Sequence, residues 1–109
     1  MAETTLLNGV TANGAGTPLD CTGALEAVIQ VRGSFEATIF FEASLDGTNW
    51  FPYEGKLAAG RGIVNCIWAP AALVFRVGGV KYLRPVVANY KQGAITAVGY
   101  TDVIKVSTV

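Results

Sequence analysis

A chain of 109 residues holds a single domain. Eight Lys and Arg balance eight Asp and Glu, and there is no histidine, which excludes a global basic field for nucleic acid and removes the commonest general base and metal ligand. Charged residues make up only 15% and apolar ones 51%, more apolar material than so small a body conceals unaided, so another copy or another protein is expected to cover part of the surface.

Residues 1–5 lack the basic-then-apolar order of a secretory signal, and no apolar run approaches the ~18 residues of a membrane helix. The expectation is a protein made in the cytoplasm, with neither membrane nor nucleic acid among its partners. Residues 4–8 and 19–21 read as short strands. Between them, "NGVTANGAGTPL" lacks the Gly-Lys-Ser/Thr ending of a phosphate loop, and no helical pattern follows it. Residues 1–18 therefore read as a flexible N-terminal arm with a Gly-rich loop, and residues 19–109 as the folded domain.

Period-two alternation dominates the rest. Leu25, Ala27, Ile29 and Val31 share one face; after Gly33-Ser34, so do Phe35, Ala37, Ile39, Phe41, Ala43 and Leu45. These are half-buried antiparallel strands. Asp46-Gly47 is a strong hairpin signal, extended by Thr48 and Asn49, and Trp50-Phe51 starts the return strand with Pro52 at an edge or bulge. Further strands are expected over residues 63–69, 73–77 and 81–89, where Pro85 suggests an edge or bulge. A turn over residues 90–93 follows, and a final strand or two over residues 94–106. Short strands at this spacing predict an all-β fold, a single antiparallel β-sandwich of jelly-roll or Ig-like type.

The residues offer little chemistry. Glu36 and Glu42 share a face but stand roughly 20 Å apart, too far for paired carboxylate catalysis. Ser34, Ser44 and Ser107 have no histidine to activate them. Cys21 and Cys66 lack metal or redox spacing and read as buried free thiols. No EF-hand spacing joins Asp20, Asp46 and Asp102. No catalytic, cofactor-binding or metal-binding residue is assigned, and no enzyme is expected. Arg76, Lys81 and Arg84 bracket Tyr82, with Tyr82 and Arg84 on one face, where Arg84 can stack on the ring. Alternation with Val64 and Cys66 places Trp68 in the core.

The run "GVTANGAGTPLDCTGALEAVIQVRGSFEATIFFEASLDGTNW" resembles small virion proteins of tailed bacteriophages, in which a Gly-rich arm leads to a strand and then a "V.G.F.AT..FE.S.DG.NW" hairpin. The later "VGGVKYLRPVVANYKQGAITAVGY" is similar to the matching second half. The resemblance implies an all-β domain binding other virion proteins, major capsid or tail proteins, as a capsid decoration or cement protein. A tail, head–tail or fibre component is the alternative, and a carbohydrate-binding receptor module is a further one. It carries no catalytic residues.

A homo-oligomer in the virion is expected, docking through terminal arms that pair with a neighbour's sheet edge and through apolar patches. The candidate interface residues are Leu6, Leu7 and Val10 in the arm, Phe40 on the wetter face of the long run, and Arg84. To these are added the aromatics Trp50, Phe51, Tyr53, Tyr82, Tyr90 and Tyr100, and Ile104 and Val106 near the C-terminus.

Overall fold

The alternating run around Gly33 does not break there. In the computed structural model, which describes residues 3–60 and 62–102, it is one continuous strand, β4 (Glu26–Ser44). The second long run is likewise continuous, as β10 (Tyr82–Thr101). The two pair antiparallel from Tyr82↔Ser44 to Thr101↔Ala27. The turn expected over residues 90–93 is instead a bulge in β10: three residues, 89–91, stand opposite Ala37 alone. The two extra residues leave the alternation in phase, because side-chain direction repeats every second residue. Ala27, Ile29, Val31, Ala37, Ile39, Phe41 and Ala43 are accordingly all buried along β4, as are Leu83, Val87, Ile95 and Ala97 along β10.

Gly33 and Gly93 mark where this ribbon bends. They adopt φ of +119° and +95°. A Cβ on Gly33 would lie 2.3 Å from the Ala94 carbonyl oxygen, and one on Gly93 2.1 Å from that of Ser34. The two backbones approach too closely there for any side chain. Asn89 supplies the bulge's positive φ of 52°, a conformation asparagine tolerates better than most residues.

Eight short strands flank the ribbon: β1 (Thr4–Val10), β2 (Gly14–Ala15), β3 (Leu19–Asp20), β5 (Trp50–Pro52), β6 (Gly55–Leu57), β7 (Ile63–Val64), β8 (Cys66–Ile67) and β9 (Ala71–Arg76). At one half, β1 pairs with β10 and β9 with β4, and the sheet continues through β6 to β7. At the other half, β2 and β3 pair with β10, and β5 and β8 with β4. All ten strands thus belong to one antiparallel sheet, and the described residues form no helix. The fold is all-β as expected, but the hydrogen bonds do not divide it into the two separate sheets of a sandwich. Both halves of the bent ribbon bury one shared core. Phe41, from one half, meets Phe75, which is paired with the other, at 5.1 Å between ring centroids.

Two further expectations are corrected. The N-terminal arm is part of the sheet: β1 lies on β10, and Gly14 and Ala15 pair with Val87 and Val86. Pro85 lies not at an edge but inside β10, fully buried. Phe41, opposite it, bonds away from β10, its N–H to Asn65 O at 3.2 Å and its carbonyl to Tyr53 N at 2.9 Å. No partner on β4 therefore needs the N–H that proline lacks. On its other side Pro85 O accepts from Gly16 N at 2.8 Å, in the gap between β2 and β3.

The bend yields a direct test. Gly93→Ala is expected to lose ~2 kcal/mol or more in urea denaturation, or to fail to fold, from positive φ and backbone collision together. Gly78→Ala, whose added Cβ would meet only a Leu25 methyl at 3.7 Å, is expected to stay within ~0.5 kcal/mol of the parent.

Candidate functional site

Inward alternation along β4 sends Phe40 and Glu42 to the outer face. The register sets Phe40 between Val86 and Cys66, and Glu42 between Arg84 and Pro52. Phe40 remains 38% exposed and Phe51 37%. Beyond them Trp68 is 71% and Ile63 70% exposed. These side chains adjoin one another: Cys66, Trp68 and Ile63 line one hollow, and Ile63 and Phe51 line the next. The result is a run of apolar surface from Phe40 across Cys66 to Trp68, Ile63 and Phe51, along the side carrying β5 to β8.

An ion pair borders it beside Phe40, while Glu54 and Lys56 line the hollows next to Ile63. Arg84 donates from Nε and Nη2 to Glu42 Oε1, at 3.0 and 2.8 Å. Its guanidinium also lies 3.8 Å from the Trp50 ring centroid, a cation–π contact. The ring expected to receive Arg84, that of Tyr82, instead has Lys81 Nζ 5.5 Å above it. Salt bridge and stacking together fix the Arg84 side chain, so the border of the apolar surface is preordered.

The Asp46 loop is turn chemistry, as the sequence suggests. Asp46 Oδ1 accepts from the backbone N–H groups of Thr48 and Asn49, both at 2.8 Å, and Oδ2 accepts from Asn49 Nδ2 at 2.8 Å. These bonds hold its carboxyl well below the usual aspartate range. Ser44, the buried polar residue of the core, accepts from Gly47 N at 2.8 Å and so anchors the loop to the end of β4.

The candidate interface residues fall into three groups. Phe40, Phe51, Trp50 and Arg84 gather on or beside the apolar surface. Leu6 and Leu7 do not: both are 3% exposed and belong to the core, because the arm that carries them is a strand of the sheet. Val10, Tyr53 and Tyr90 are half-buried and pack against the core's rim. Tyr82 is half-buried beside the Asp46 loop, whose Gly47 lies against its ring. Tyr100, far along β10, donates its hydroxyl to Glu3. Ile104 and Val106 lie outside the described residues.

Sequence reasoning missed Ile63 and misplaced Trp68. The run 63–69 is not one strand but two of two residues, β7 and β8, interrupted at Asn65. Alternation read through that interruption puts Trp68 inside. In the structure Ile67 faces the core opposite Ile39, and Trp68 faces out. Both cysteines are free thiols: Cys21 is buried, its thiol pushed up to about 12 by desolvation, and Cys66 is half-buried. Glu36 accepts from Gln92 Nε2 at 2.7 Å. Among the described residues no three His, Cys, Asp or Glu side chains gather as a metal-holding group.

No family model and no curated protein matches the chain. Solved structures do. The chain is similar to the SPBc2 prophage-derived protein YomS, with a TM-score of 0.85 at 16% identity over 92% of this chain and 90% of that one. It is also similar to the PBSX exported protein XepA, with a TM-score of 0.86 at 15% identity over 92% of this chain. The match spans 37% of XepA, a longer protein that contains this fold as a part. The chain thus shares its fold with prophage-derived, β-rich proteins, and at this level the resemblance to phage proteins is met.

The Asp46 loop makes a pH-dependent contribution of known sign. A carboxyl whose folded-state pKa is depressed stabilises the fold above its unfolded-state value, and that contribution is lost as pH falls through the folded-state value. Carbon-detected NMR titration is expected to show Asp46 ionised well below 3.8, the ordinary aspartate value. Asp46→Ala is expected to flatten the fall in melting temperature below about pH 4.

Proposed function

We propose that this chain is a structural protein of a tailed bacteriophage, a capsid decoration or cement protein that docks on the head surface through protein–protein contacts. The observation that carries the reading is the exposed pair Phe40 and Trp68 on the outer face, with Ile63 and Phe51 exposed at the adjoining edge. Large exposed aromatics grouped on one side supply the contact area of a docking patch, and the Arg84–Glu42 pair at its border gives orientation more than affinity.

The fold shared with prophage-derived proteins supports a phage origin. The description of XepA as exported supports a product that acts outside the cell, as the surface of a released particle does. On this reading the protein runs no reaction, uses no cofactor and associates as a homo-oligomer. A lattice offers many identical sites, so weak single contacts suffice once attachment at neighbouring sites raises the effective concentration. Phe40 and Trp68 also present ring faces of the kind that stack on sugars, and this supports the receptor-binding alternative.

Mass spectrometry and immunogold microscopy of gradient-purified particles test the reading. The protein is expected in fixed ratio to the major capsid protein, with label over heads. A Phe40→Ser/Trp68→Ser double variant is expected to reduce occupancy at least tenfold, about 1.4 kcal/mol of binding, while keeping the parent's circular dichroism. Label over tails or fibres would replace the head assignment with the tail alternative. Absence from particles, with binding on a glycan array abolished by the same substitutions, would establish the carbohydrate reading instead.

A further inference from the structure

We infer that two copies of this chain dock on each other, two-fold, through the outer face that carries β6, β7 and β9. The register builds that face in rows across the sheet. Ile63, Lys56, Val74, Val28 and Tyr100 are successive cross-strand partners, from β7 through β6, β9 and β4 to β10. The chain neighbours of the two valines, Leu73, Phe75, Ala27 and Ile29, all face the core, so the row faces outward. The outer face of a solvated antiparallel sheet is polar. This row instead places two half-buried valines side by side and ends on Ile63, which is 70% exposed. Next to Ile63 it opens into a hollow of about 740 Å³, lined also by Phe51, Tyr53 and Arg76. The hollow is firm: the Tyr53 hydroxyl donates to the Arg76 carbonyl, and the Tyr53 ring stacks on Phe75 at 6.5 Å between centroids.

The charges identify the occupant. Two acids, Glu26 and Glu54, and two bases, Lys56 and Arg76, stand along this face. Glu26 and Arg76 are cross-strand partners, and exposed Glu54 and Lys56 flank the buried Gly55. Yet the ion pair among the described residues is Arg84 with Glu42, and none of these four takes part in one. Asp102 borders the neighbouring hollow, but its Oδ1 already accepts from the N–H groups of Leu25 and Glu26, at 2.9 and 3.1 Å.

A face made for a strongly acidic or basic partner would carry one sign in excess. Both signs in equal number, at interleaved positions, fit a surface that meets itself. A two-fold axis sets each residue against a different position of the same patch. With the axis over Gly55, Glu54 of one copy meets the partner's Lys56, and Lys56 meets the partner's Glu54. The chain's zero net charge raises no long-range repulsion against that approach. The dimer gives a face to the homo-oligomer of the virion reading and rests on that reading only for its place on a particle.

Sedimentation velocity of the purified full chain, from about 1 µM to about 1 mM, tests it. Expected is a reversible monomer–dimer equilibrium. Glu54→Lys and Lys56→Glu are each expected to raise the dimer Kd at least about tenfold, because each sets like charges together twice. The double variant Glu54→Lys/Lys56→Glu exchanges the signs in place and is expected to return Kd to within about threefold of the parent. Ile63→Ser, which changes no charge, is expected to weaken the dimer at least about tenfold as well, with the parent's circular dichroism retained. A parent that stays monomeric throughout would give the face to a different protein and overturn the proposal. So would a dimer unmoved by the single exchanges or by Ile63→Ser, or a loss that the double variant does not recover. The measurement uses no particles: a monomer that still decorates heads sinks the dimer and spares the virion reading, and a dimer absent from particles does the reverse.

Discussion

The fold depends on the close approach of two backbones at the bend of the β4–β10 ribbon. Nineteen- and twenty-residue strands are about four times as long as usual, and a flat ribbon of that length would leave its apolar face open. Gly33 and Gly93, facing Ile95 and Phe35 across the pair, let both strands turn at one level. After the turn the two halves present the same face to each other. Leu19 at one half reaches Gly99 at the other, and Phe41 reaches Phe75. The bulge at residues 89–91 meets a second requirement. Two extra residues lengthen β10 beside the bend without inverting its face; one would have turned half of β10 inside out.

The flanking strands are short because they serve a bent surface. A long straight strand cannot follow the ribbon past the bend, so each edge is divided between segments: β1 from β2 and β3 along β10, and β9 from β8 and β5 along β4. Pro85 occupies one such division, where its missing donor goes unused. The polar groups at these divisions are met locally. Asn13, from the Gly-rich stretch, accepts from Tyr90 N at 2.9 Å inside the bulge, and Tyr90 donates its hydroxyl to Gly93 O at 2.6 Å. The Gly-rich stretch is thus a brace for the bend.

What the sequence revealed, and what it did not, follows from the range of each signal. Alternation and the Asp46-Gly47 turn are local, and they located both long runs, the hairpin loop and nearly every inward side chain of β4. Gly33 and Gly93 were also visible, but read as stops. A glycine that ends a strand and one that bends it both need freedom at φ, and only the partner strand, sixty residues away, distinguishes them. The Gly-rich arm was misread for the same reason. Its hydrogen bonds go to β10, which no local pattern shows, and Leu6 and Leu7 became interface candidates although the core needs them. Trp68 failed differently: a two-residue strand carries no phase, so alternation extended through Asn65 inverted the tryptophan. Of the candidate site, Phe40, Trp50, Phe51 and Arg84 were legible from facing and residue type; Ile63 was not.

The apolar surplus that the composition announces therefore has a specific location. Most of it is absorbed by the shared core, which draws on both halves of the ribbon. The remainder is not spread evenly. Leu45 stands in the Asp46 loop, while Leu25, Ile63, Phe51, Phe40 and Trp68 follow the side built from β5 to β9 and the hollow beside Asp102. Strands β5 to β8 are only two or three residues long and bring little side chain of their own to cover the layer beneath, whereas the seven-residue β1 lies along β10. A chain under selection only for solubility would place charges there, as edges elsewhere in proteins carry them. Aromatic and branched side chains stand there beside Glu54, Lys56 and Arg76, with Arg84 fixed at the border. The exposed apolar side chains are thus gathered along one side of the molecule rather than scattered over its surface.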